Sequence, residues 1–250
     1  LSAMAETPGI LRQMFLNQYS NKHGLYGLKF YLQGLPTVVF VDDYFPCFDY
    51  NQNEPVFAKP KGKELWTMIA EKAWAKIFKS YTATETGSLE ETLENLTGAP
   101  CFGFCNKEQT EDETWQLLNR AYTKGYIMGA TSDVSPADSE ATGLVIDQCY
   151  SIISVHEVEG HRLIKMRNPW GRFEYKGLYC DGSPMWTYSL KKAVDYLAAD
   201  EGMFFITLSD FRKYFNKYAI NCYYDNWQYT HTQVESSPDH AEYFRFSIEE

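Results

Sequence analysis

The 250-residue sequence has no apolar run approaching the ~20 residues of a membrane-spanning helix, and no secretory signal pattern is visible at its start. It has no basic excess. The formal net charge of -10 argues against a nucleic-acid partner, because binding a phosphate backbone needs a positive face. There is no C-x-x-C pair: Cys47, Cys101, Cys105, Cys149, Cys180 and Cys222 are scattered. Cys101 and Cys105 have no second ligand pair spaced for zinc. Dispersed thiols in a chain of this length read as reduced cysteines of a cytoplasmic protein. Internal repeats and low-complexity tracts are also missing. The chain opens at Leu1 rather than Met, inside a helix-like segment, and so reads as a piece of a longer protein.

What the sequence does have is aromatics, at 16% of residues, and enough apolar material (44%) for a substantial core. The segment "LSAMAETPGILRQMF" reads as helix with a break near Pro8 and Gly9. "GLYGLKFYLQG" and "LPTVVFVDDYFP" read as two strands around a turn at Gly34. In "ELWTMIAEKAWAKIFKSY", Leu65, Trp66, Ile69, Ala70, Ala73, Trp74, Ile77 and Phe78 form one apolar stripe, which predicts a helix. "SLEETLENLTG" predicts another, with Ser88 as N-cap and Glu91 three residues on. Gly98-Ala99-Pro100 breaks it and marks a boundary between two lobes, 1–97 and 98–227. Beyond it, "DETWQLLNRAYTKG" reads as a helix ending at Gly125, "YIMGATSD" as a strand and "VSPADSEATG" as a loop. "LVIDQCYSIISVHEV", "HRLIKMRN" and "GMFFITLSDF" read as strands, and "SDFRKYFNKY" as a short helix. Phe244, Phe246 and Ile248 alternate near the end, so residues 228–250 read as the start of a further β-sandwich domain.

The stretch "RLIKMRNPWGRFEYKG" carries the sharpest question. Asn168-Pro169-Trp170-Gly171 directly after a strand is either an ordinary turn or one member of a catalytic set. Its neighbours decide how it reads. "VDDYFP", the "LWTMIAEKAWAKIFKSY" helix, "LENLTG", "PADSEA", "IKMRNPWGRFEYKG" and "LSDFRKYF" follow one another in the order of motifs in the calpain catalytic core. From Leu1 to about Tyr224 the chain resembles calpains, calcium-dependent papain-like cysteine proteases. The resemblance implies an α+β, two-lobed papain-like fold, with a helical first lobe, an antiparallel β-rich second lobe and a cleft between them. It also implies a protein or peptide as substrate or partner.

The same resemblance assigns roles. A cysteine protease needs a thiolate nucleophile, a His that moves its proton, a group that orients the His, and donors for the oxyanion. Asn168 matches the orienting Asn, and Trp170 the residue that shields it from water. The His position, in a motif G-L-V-x-x-H-A-Y-S-V, falls on Gln148 of "GLVIDQCYSII". A Gln amide hydrogen-bonds but does not titrate near neutral pH, so it cannot replace a general base worth roughly 10²- to 10⁴-fold in rate. His156, eight residues along the same strand, would lie on the order of 25 Å away at ~3.3 Å per residue. The nucleophile of the family's G-D-C-W-F-L motif aligns upstream of Leu1, outside this chain.

Calcium is the implied cofactor. Glu174 and Asp181 match two ligands of the second lobe, Glu201 in "DEGMFF" takes the place of a third, and Met203 replaces a fourth, while Glu71 matches a first-lobe ligand. Calcium affinity tracks the number and rigidity of oxygen ligands, so it is expected to be weakened. Three expectations follow. The first is a calpain-type fold without its own catalysis, serving as a peptide-binding or regulatory scaffold. The second is an active calcium-dependent cysteine endopeptidase performing limited intracellular proteolysis, once the upstream segment and an unrecognised base are present. The third is an adaptor in which only the lobes matter.

Overall fold

The computed structural model describes residues 1–6, 8–60, 62–85, 87–199 and 201–224. The expected β-sandwich start at 228–250 lies outside them. The chain opens with α1 (Ser2–Ala5) and α2 (Pro8–Met14) and continues into an antiparallel hairpin, β1 (Leu25–Leu32) and β2 (Leu35–Asp42). Gln33 and Gly34 close the hairpin with positive φ (51° and 76°), the conformation a tight β-turn asks for. A short pair follows, β3 (Cys47–Phe48) and β4 (Asn51–Pro55). Next come α3 (Trp66–Ile77) and α4 (Leu89–Thr97). The Ser88 hydroxyl accepts from the Glu91 N–H (3.2 Å), and α4 ends at Gly98 with φ 74°.

The chain then enters β5 (Cys101–Cys105), α5 (Glu111–Thr123), β6 (Ile127–Ser132), α6 (Pro136–Thr142), β7 (Cys149–Val158), β8 (His161–Arg167), α7 (Tyr188–Ala193), β9 (Met203–Thr207), α8 (Leu208–Tyr214) and β10 (Phe215–Asn221). Strands β5-β10-β6-β7-β8-β9 form one six-stranded antiparallel sheet. The protein is therefore α+β. One face of the sheet, with Ile152, Ile164, Met166, Phe204 and Tyr218, packs on Trp115 and Leu118 of α5 and Phe211 of α8. Elsewhere, Ile127 and Ala219 share a buried cluster with Met4, Phe30, Ile69, Leu93 and Leu96, so the opening helices and hairpin dock on the sheet.

Four readings of the sequence need correction. "VSPADSEATG" contains a helix, α6. Ser135 caps it by accepting from the Asp138 N–H (3.1 Å), Pro136 starts it and Gly143 (φ 75°) ends it, so its signal lies in its caps rather than in an apolar stripe. "LVIDQCYSIISVHEV" is strand only from Cys149. Residues 144–148 turn, with Asp147 at φ 51°. Thr207 ends β9 by capping α8, its hydroxyl accepting from the Asp210 N–H (3.1 Å), so "LSDF" is helix rather than strand. Conversely, "FNKY" belongs to β10, held in the sheet between β5 and β6 with Phe215 and Tyr218 in the core. There, pairing on both edges overrides the local helical reading.

Candidate active site and calcium positions

Asn168 follows β8 immediately and is fully buried (0% exposed). All its polar groups are engaged. Its N–H donates to the Gly202 carbonyl (2.8 Å) and its carbonyl accepts from the Gly171 N–H (3.0 Å). Its side-chain Oδ1 accepts from the Trp170 N–H (3.0 Å), and Nδ2 donates to the Phe173 carbonyl (3.2 Å). The turn it organises needs left-handed backbone at Gly171 (φ 67°) and Phe173 (φ 62°). Trp170 is 53% exposed and meets Phe173 edge to face at 6.1 Å.

Gln148 sits at the same end of the sheet's strands. Ser151 of β7 pairs with Arg167 of β8, so the residues just before β7 lie across from the turn just after β8. The Gln148 backbone is pinned to the end of β6: its N–H donates to Ser132 Oγ (2.9 Å) and its carbonyl accepts from the Ser132 N–H (3.0 Å). Ser132 is buried and also donates to Val145 O (2.6 Å), which fixes the turn. The Gln148 side chain is half-buried, and its Nε2 donates to the Cys149 carbonyl (3.2 Å). No hydrogen bond joins Gln148 to the Asn168 side chain among the described residues.

The start of the chain reaches this end of the strands. Helix α1 packs on β6 and β7. Glu6, just past α1, pairs with Arg167 (2.7 Å). None of the described His residues substitutes at Asn168. His156 shares a hydrogen bond with Ser154 Oγ (2.8 Å) and lies against Tyr122 and Phe205. Burial, and then the Lys165 charge, lowers its pKa. His161 packs on Tyr179, and His23 is exposed on the first-lobe surface.

Of the carboxylates matched to calcium positions in the second lobe, the structure brings Glu174 against the Glu201 backbone. Among the described residues no group of three His, Cys, Asp or Glu side chains is placed to hold a metal ion. Glu174 Oε1 accepts from two backbone donors, the N–H groups of Glu201 (3.0 Å) and Gly202 (2.8 Å). Asp181 is exposed near Tyr196, whose hydroxyl pKa is raised first by burial and further by this carboxylate. Met203 opens β9 opposite Arg167 and brings a thioether, a poor ligand for a hard cation. On α3, Glu71 Oε2 accepts from the Ala58 N–H (2.9 Å), and burial raises its pKa against that bond. Among the described residues, the matched carboxylates do not form the ligand group that the resemblance implied.

Residue reasoning missed Ser132 and Gly202. The glycine could have been noticed, since Gly171 and Gly202 both lie in loops beside the motif residues; nothing in the sequence marks the serine.

An opening helical unit with a hairpin, docked on an antiparallel sheet that carries a buried Asn turn at one end of its strands, defines an α+β cysteine-protease-type core. Residues 1–222 match the calpain family cysteine protease pattern, and the chain belongs to the calpain family. It is 32% identical over 232 residues to "Calpain-type cysteine protease DEK1" of Arabidopsis thaliana, covering 88% of this chain and 11% of that protein. To the DEK1 of Zea mays it is 33% identical over 243 residues (92% and 11%). To "Calpain-8" of Rattus norvegicus it is 32% identical over 218 residues (83% and 30%). The chain thus spans only a tenth to a third of the length of these relatives.

Proposed function

We propose that this calpain-type domain does not hydrolyse peptide bonds and instead binds a protein or peptide segment as a regulatory scaffold. The observation that carries the reading is Gln148. The residue across from the Asn168 turn, at the same end of the sheet's strands, is a neutral amide that hydrogen-bonds its own strand. An amide in that position orients a ligand carbonyl or N–H but neither takes a proton from a thiol nor returns one to a leaving amine. The Asn168 turn supports a binding role because it stays fully bonded without a His to orient. The dispersed free thiols support a reducing, cytoplasmic setting.

The test is capture without cleavage. Unfolded casein, incubated with the protein at its natural length in calcium, is expected to co-elute with it and to be recovered uncut by mass spectrometry. Fragments whose appearance a thiol-directed inhibitor abolishes would support the active-endopeptidase reading instead.

A further inference from the structure

The Asn168 turn is held by a second loop, and the connection runs through Glu174. Gly202 O accepts from the Asn168 N–H (2.8 Å), while the Glu174 carboxylate accepts from the N–H groups of Glu201 and Gly202 themselves. Gly202 (φ 82°) lies so close to the turn that a Cβ there would come within 2.8 Å of Gly171 Cα and 2.9 Å of the Arg172 N. The end of β8, the 171–174 loop and the entry to β9 are thereby closed into one circuit. A carboxylate accepting two N–H groups makes charge-assisted bonds, roughly twice as strong as neutral ones. It is engaged in the way a divalent cation would otherwise satisfy. Of the other matched positions, Asp181 lies near Tyr196, Glu201 meets Glu174 through its backbone N–H, and position 203 carries a thioether.

We infer that Glu174 is a positioning residue that clamps the 201–202 loop onto the Asn168 turn through backbone N–H groups, so that this half of the site is held in place without calcium. The clamp is independent of whether Gln148 leaves the domain inactive, because it involves neither Gln148 nor the nucleophile.

Hydrogen exchange followed by mass spectrometry tests it, on the protein at its natural length with calcium or with a calcium chelator. In the wild type, exchange across 167–174 and 201–205 is expected to be the same in both conditions. Glu174→Ala is expected to speed exchange in both segments on the order of tenfold, again regardless of calcium. Glu174→Gln keeps an acceptor oxygen and is expected to restore most of the protection, a rescue that loss of bulk alone would not give. If calcium slows exchange there in the wild type and Glu174→Gln abolishes that slowing, the carboxylate is a metal ligand and the inference is overturned. Unchanged exchange in Glu174→Ala overturns it as well. Should the Ala variant fail to fold, the calcium comparison between wild type and Glu174→Gln still decides.

Discussion

Asn168, just after β8, and Gln148, just before β7, lie at the same end of two neighbouring strands, yet their surroundings are built differently. The Asn side chain is wholly buried, and its donor and acceptor are both committed to backbone partners within five residues. The Gln side chain is half-buried and makes one bond, to the carbonyl of its own neighbour. Only the Gln backbone is tightly held, by buried Ser132. A buried amide that loses its partners costs far more than an exposed one. The Asn turn is therefore a structural element in its own right, whereas the Gln148 side chain can vary without disturbing the fold. A core built this way keeps its frame whichever side chain stands at position 148.

The comparison can be broken at several points. Asn168→Ala should have the largest effect. It strands the Trp170 N–H and the Phe173 carbonyl in the turn, and about 1–3 kcal/mol of stability is expected to be lost in urea unfolding. Gly202→Ala should follow, at more than ~1 kcal/mol, because the new methyl meets backbone at 2.8 Å in a left-handed conformation. A shift in its unfolding midpoint without a change in slope would show lost stability rather than a change in the compactness of either state.

A smaller effect should appear only in acid, at the far end of β7. The pKa of His156 is lowered in the fold, so the folded state binds its proton less readily than the unfolded chain. Its contribution is constant above the ordinary imidazole pKa and is lost as pH falls from there towards the folded value. His156→Gln should flatten that part of the stability–pH curve and leave neutral pH nearly unchanged. The smallest effect belongs to Gln148→Ala, expected within ~0.5 kcal/mol of wild type by thermal unfolding, as for other side chains without committed partners. A large loss there would erase the contrast with Asn168.

Much of this was legible in the residues. The stripe through Trp66, Ile69, Ala73 and Ile77 specified α3, and Ser88 caps α4 by accepting from the Glu91 N–H, a pairing local enough to read along the chain. Helix α6 hid because it is short and polar, and β10 because "FNKY" takes its state from two flanking strands. At the site, motif positions drew attention to Asn168 and Gln148, and the structure puts both at one end of neighbouring strands. The Glu174 clamp could not be read that way. It joins a side chain to backbone N–H groups 27 and 28 residues away, and backbone donors carry no sequence signature.

The most direct measurement is steady-state peptide hydrolysis by the wild type beside Gln148→His, both at natural length and with calcium, across a pH series. The wild type is expected to show no turnover above buffer at any pH, with any activity gained only in the His variant and rising through the imidazole range. Wild-type turnover that a thiol-directed inhibitor abolishes would contradict the assignment of Gln148 as the residue that ends catalysis.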